Sequence, residues 1–190
     1  MQTTIQIKTI KALLHFTAKK DIRYYLQGVH IEQGPTGTYA VATNGHFIAI
    51  ARVDTQAQTP ASVIVGSDRL AAAIKGAKGA AMIEQYDGAR VTITTTAGET
   101  TADAVEAQYP DWRRVIRAPQ TGEQAYFNPE YLATVQKAAG EYHGNKGTLY
   151  HVTQNGNSVG HCDIDDDLQV FVMPVRGADR PRVAPWVATC

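Results

Sequence analysis

Lys8, Lys11, Lys19, Lys20, Lys75, Lys78, Lys137 and Lys146 are the residues with the most evident chemical pattern. They are all the lysines of the chain, and all lie in or just after three helix-like stretches. Ammonium groups on a helix face can meet a phosphate backbone without reading bases. Lysine is also a good helix former at home on solvated faces, so charge alone leaves both readings open. Acids gather elsewhere, above all in Asp163, Asp165, Asp166 and Asp167. That run lacks the glycine and the terminal glutamate of an EF-hand loop, so no metal is expected there. His46 has no sequence partner for proton transfer. There is no P-loop, no G-x-S-x-G, no H-E-x-x-H and no Cys/His zinc spacing. The expectation is a protein without catalytic residues and without a cofactor.

The elements that must position these groups belong to an ordinary globular chain. Of its 190 residues, 44% are hydrophobic and 19% charged, which excludes disorder. Eighteen basic residues balance eighteen acidic ones, so any surface for nucleic acid must be local. No apolar run reaches the roughly 18 residues of a membrane span. The start, Met1-Gln2-Thr3-Thr4, has no export-signal character. Cys162 and Cys190 form no disulfide framework, and a reducing, cytoplasmic setting is expected.

The chain reads as one unit written three times, with helix starts near Thr4, Ser67 and Asn128. The first helix carries Ile7, Ile10, Leu13, Leu14 and Ala18. The second is capped by Ser67 or Asp68 and carries Leu70, Ala71, Ile74 and Ala77. The third has Asn128 as cap, Pro129 at its first position and Glu130 in its first turn, with Gly140 as the expected stop. Each helix follows a short strand-like run (4–8, 62–65 and 124–127). Each precedes three strands: 23–32, 37–43 and 46–53, then 80–86, 89–96 and 100–107, then 148–154, 158–164 and 168–176. Asn44-Gly45, Asp87-Gly88 and Asn155-Gly156 supply hairpin turns. The fold class expected is α+β, three strand–helix–meander units with helices on one face and antiparallel sheets on the other. The divisions are 1–118 for two units, 119–177 for the third, and 178–190 for an extended, proline-containing tail.

Four stretches in order resemble one family. Arg23-Tyr24-Tyr25-Leu26-Gln27-Gly28-Val29, Val41-Ala42-Thr43-Asn44-Gly45-His46, Tyr109-Pro110-Asp111-Trp112-Arg113-Arg114-Val115-Ile116 and Val172-Met173-Pro174-Val175-Arg176 are similar to motifs of the bacterial DNA polymerase III β subunit, the sliding clamp. Units one and two resemble its middle domain, and unit three the second half of its last domain. The resemblance implies a DNA-clamp-like fold and a pocket that takes short hydrophobic peptides of replication proteins. Matched residue by residue, that groove comprises Leu26, Thr43, Gly45, His46, Pro110, Arg114, Val115, Val172, Met173, Pro174, Val175 and Arg176. Phe47 and Ile48 join it where the family has Arg and Leu, which makes the site more apolar and removes a cation.

The implied function is that of a non-catalytic replication processivity factor, holding duplex DNA non-specifically through the helix lysines and tethering polymerase-type partners through the groove. The family's ring contains twelve units, so four copies of this chain would supply twelve, and a homo-oligomer, dimer or tetramer, is expected. The alternative is a clamp mimic of a phage or mobile element that binds clamp-binding peptides without forming a ring on DNA. For Trp186 and Val187 in the tail two readings stay open, folding back into the chain's own groove or a neighbour's, or a disordered end.

Overall fold

The computed structural model describes residues 1–54, 56, 58–86, 88–117, 121–144 and 150–177. Strand β1 (Gln2–Gln6) leads directly into α1 (Ile7–Leu14), and strands β2 (Gly28–Gly34), β3 (Gly37–Thr43) and β4 (Phe47–Asp54) follow. The second unit repeats the order with β5 (Ala61–Gly66), α2 (Ser67–Ala73), β6 (Ala80–Gln85), β7 (Arg90–Thr95) and β8 (Gly98–Asp103). A one-turn helix, α3 (Arg113–Ile116), precedes the third unit. That unit holds α4 (Pro129–His143), β9 (Gly160–Asp165) and β10 (Leu168–Val172).

The strands form two antiparallel sheets, ordered β1-β6-β7-β8 and β5-β2-β3-β4-β10-β9. The first strand of each of the first two units has crossed into the other unit's sheet, so the two units are interlocked. The third unit joins through the seam between β4 and β10, whose register sets Leu168 opposite Ala51, Val170 opposite Ala49 and Val172 opposite Phe47. Helix α1 packs between α2 and α4. One core runs beneath all three helices, from Leu13 and Phe16 through Leu70 and Ile83 to Val135, Ala139 and Leu168. The α+β architecture with helices on one face and antiparallel sheets on the other is therefore present.

Several local expectations are corrected. The first helix begins at Ile7, not near Thr4, because residues 2–6 pair with β6. The run 23–32 is not one strand. Tyr24–Gln27 form a 3-10 turn, tied by Leu26 N–H to Arg23 O and by the Gln27 side chain to Asp21 O. Gly140 does not stop the third helix. Val135, Ala138, Ala139 and Tyr142 share a buried face that continues past it, and the stop is Gly144, with φ +69°. Asn128 caps that helix as expected, its side chain accepting from Glu130 N–H.

The expected strands 124–127 and 148–154 do not form among the described residues. Side chains take the bonds a ladder would use. Asn155, buried, accepts from Thr121 N–H and donates to Val159 O. Gln154 Oε1 accepts from Ala125 N–H, and Thr153 Oγ1 from His161 N–H. Lys146, Asp87 and the tail with Trp186 and Val187 lie outside the described residues.

Candidate functional site

The outer face of the six-stranded sheet carries a second apolar cluster, in which Val41, Ile48 and Ile50 are covered by Tyr109 and Trp112 of the segment after β8. That cover is fixed at several points. Val105 N–H donates to Ile64 O, Tyr109 OH to Val41 O, and Arg113 pairs with Glu32. The Arg113 guanidinium also lies 4.1 Å from the Trp112 ring centroid. Between this cover, the 3-10 turn and the end of β10 lies a groove of about 230 Å³.

The β3–β4 turn shapes its floor. Asn44 Oδ1 accepts from His46 and Phe47 N–H, and Thr43 Oγ1 donates to Phe47 O. Gly45 takes φ +91°, and the Arg23 guanidinium passes so close that a Cβ would lie 3.0 Å from Nη1. Asp21 holds that guanidinium by two hydrogen bonds, of 3.0 and 2.7 Å. The same hydrogen bonds bring the Asp21 carboxyl down to about 2.

The structure brings together residues from all four sequence motifs. Leu26, Thr43, Gly45, Phe47 and Ile48 line the groove with Pro110, Val115 and Met173. Met173 is set by its N–H donating to His46 O. The remaining expected residues lie elsewhere. The His46 ring stacks on Tyr131 of α4, 5.1 Å between centroids. Val172 is fully buried in the main core. Arg114 is 82% exposed and stands beside Asp111. Pro174, Val175 and Arg176 continue past the lining, with Val175 N–H bound to Tyr126 O.

Sequence reasoning missed Arg23, Tyr25, Asp111, Trp112, Val159 and Phe171, which also line the groove. Four of them stand inside the quoted motifs, Phe171 immediately precedes one, and only Val159 carries no signal. The cation at the groove is thus Arg23, not Arg114 or Arg176. The site is an apolar trough with one fixed guanidinium and one carboxylate at its edge, suited to an extended apolar segment.

Lys8, Lys11, Lys19, Lys20, Lys75, Lys78 and Lys137 are exposed, on α1 and α4 or in the segments that follow α1 and α2. Lys8 Nζ sits 4.1 Å from the Tyr142 ring centroid. Lys19 and Lys137 converge on His15, whose pKa is lowered by burial first and by both ammonium groups, against the opposing pull of Glu141. In the acidic run, Asp167 pairs with Arg52 at 2.7 Å. No cluster of three metal-ligating side chains occurs among the described residues, and no helix there is long and apolar enough to cross a membrane.

No family model matches the chain. The beta sliding clamp of Proteus mirabilis is 31% identical over 126 residues, covering 61% of this chain and 34% of that protein. The beta sliding clamp of Salmonella typhimurium is 29% identical over 126 residues, with the same shares. The chain thus spans about a third of the length of these curated relatives. Among solved structures, the DNA polymerase III β subunit of Thermotoga maritima superposes with a TM-score of 0.73 at 16% identity, over 94% of this chain and 66% of that one. A Pseudomonas aeruginosa sliding clamp bound to griselimycin gives 0.69 at 20% identity, over 93% and 65%. The chain resembles the sliding clamps and has their fold.

Proposed function

We propose that this chain is a non-catalytic, sliding-clamp-like replication factor whose apolar groove takes clamp-binding peptides of DNA polymerases or other replication proteins. The observation that carries the reading is the convergence of Leu26, Thr43, Pro110, Val115 and Met173, from four separate motifs, on one trough. Met173 and Pro110 suit such a surface, one adaptable and the other a rigid edge. Residues 1–118 and 119–177 act as the two-unit and one-unit parts, and the groove lies where they meet. The exposed lysines around α1, α2 and α4 form the face for duplex DNA, which they meet without reading sequence. Homo-oligomerisation, as a dimer or tetramer, completes a surface around the duplex.

The test is titration of a fluorescent polymerase peptide known to bind bacterial clamps. Binding is expected to the full chain and to weaken about tenfold, about 1.4 kcal/mol, in Met173→Ala. Absence of binding, or equal binding by the variant, overturns the reading.

The zero net charge favours a second reading, a phage or mobile-element clamp mimic that binds the peptide but does not hold DNA. Light scattering across a dilution series separates the two. A closed four-chain oligomer with salt-sensitive DNA binding supports the first, and a monomer or dimer that binds peptide but not DNA supports the second.

A further inference from the structure

A second groove, of about 400 Å³, shares Trp112 and Phe171 with the first but is otherwise built from different residues. Tyr39, Ile50 and Phe171 come to it from β3, β4 and β10, and Ile116 from α3. Its rim carries Arg52, Arg113, Asp166 and Asp167. Both arginines are already engaged, Arg52 by Asp167 and Arg113 by Glu32. Asp166 acts on Arg52 only through its field. Asp163 stands just beyond, its carboxylate accepting from Gln169 Nε2, which also donates to the Asp165 backbone oxygen, while the Asp165 carboxylate accepts from Tyr142 OH of α4. The groove is therefore apolar at its centre, and with both arginines paired, Asp166 and, beyond it, Asp163 are left at one end without an ion-pair partner among the described residues. Trp112 is 6% exposed, and its Nε1 has no hydrogen-bond partner among the described residues. An occupant that matches this surface is apolar with basic residues beside its apolar part.

The chain carries such a segment. After Gly177 come Arg180 and Arg182, then Val183, Trp186 and Val187, with Pro181 and Pro185 limiting the backbone freedom that docking would remove. The segment also reaches. Gly177 is six residue steps from Phe171 and so lies at most about 20 Å from the groove, and the nine steps on to Trp186 span up to about 30 Å.

We propose that residues 178–190 dock in this second groove of their own chain, with Trp186 against Tyr39, Ile50 and Phe171, and Arg180 and Arg182 facing Asp166 and Asp167. Tryptophan is a common anchor in such contacts. This goes beyond the peptide-binding reading and stands without it. Where both hold, the segment braces the Trp112 wall from the side opposite the partner peptide.

Cys190 makes the test direct, because the only other cysteine, Cys162, is buried. A nitroxide spin label on Cys190 of the full, isotope-labelled chain is expected to broaden the amide signals of Tyr39, Ile50 and Phe171. Arg180→Glu with Arg182→Glu is expected to abolish most of that broadening, and adding Asp166→Lys to restore part of it. A mixture of spin-labelled unlabelled-isotope chain with isotope-labelled Cys190→Ser chain is expected to show none. No broadening in the groove, broadening at Leu26 and Met173 instead, full broadening in the double arginine variant, or broadening in the mixed sample, which would mean a second copy, each overturns the proposal. The peptide titration above is read separately, so failure of one does not mimic failure of the other.

Discussion

At Gly45 the backbone adopts a conformation that side chains rarely take, and the Arg23 guanidinium fills the space a side chain would need. Gly45→Ala is therefore expected to cost roughly 1–2 kcal/mol in chemical denaturation. It is also expected to displace Arg23 and weaken peptide binding more than stability alone explains. Glu32 supplies a second test at this scale. Burial raises its pKa, but hydrogen bonds from His30 and Arg113 outweigh that and hold it at about 2. Its folded pKa is below its unfolded value of 4.5, so its stabilisation is complete above that value and is lost as pH falls towards about 2. Glu32→Gln is expected to flatten the stability profile across that window, as followed by denaturation at a series of pH values. The groove residues inside motifs were legible because each motif fixes a local conformation. Their facing was less so. Val172 and Met173 were expected in the same groove, yet successive strand residues point to opposite faces. Val172 accordingly enters the core while Phe171 and Met173 meet the groove.

At the scale of elements, local chemistry told where the third helix begins and where the β3–β4 hairpin turns, but not the first helix start, nor a side-chain cap on α2, whose Ser67 and Asp68 already lie inside the helix after Gly66. The caps at Asn128 and the Asn44-Gly45 turn stand where sequence places them. What local chemistry does not carry is long-range pairing. Nothing in residues 47–54 or 168–172 announces that these strands are neighbours, and the stop of α4 depends on what Tyr142 packs against rather than on Gly140. The missing strands of the third unit have the same origin, since Asn155 and Gln154 satisfy backbone groups that a distant strand would otherwise pair. The β4–β10 seam carries its own expectation. Leu168 is fully buried at that seam, and Leu168→Ala is expected to cost about 2–5 kcal/mol. Because one core underlies all three helices, the loss should appear as one shifted transition by both circular dichroism and tryptophan fluorescence. Two separated transitions would show that the third unit folds independently.

For the whole molecule, the separation of charge by element explains how a chain with no net charge can present a basic face. Seven exposed lysines stand on or beside the helices, and the acidic run lies on and after β9 at the sheet side. Glu130 and Glu141 on α4 dilute that face, so DNA binding is expected to be weak and to fall steeply with salt. Lys19→Glu with Lys137→Glu should weaken it further in a filter-binding assay at low salt, leaving peptide binding unchanged. The apolar trough is the more specific feature, because its residues come from four stretches of sequence and converge only when the third unit is sewn to the first. The most direct test is therefore to map where the polymerase peptide binds, by following amide signals of the full isotope-labelled chain during titration. Shifts are expected to concentrate at Leu26, Thr43, Val115 and Met173, with the lysine-bearing helices unmoved. Saturable binding whose shifts fall elsewhere, or no shifts at all, would contradict peptide binding in the trough.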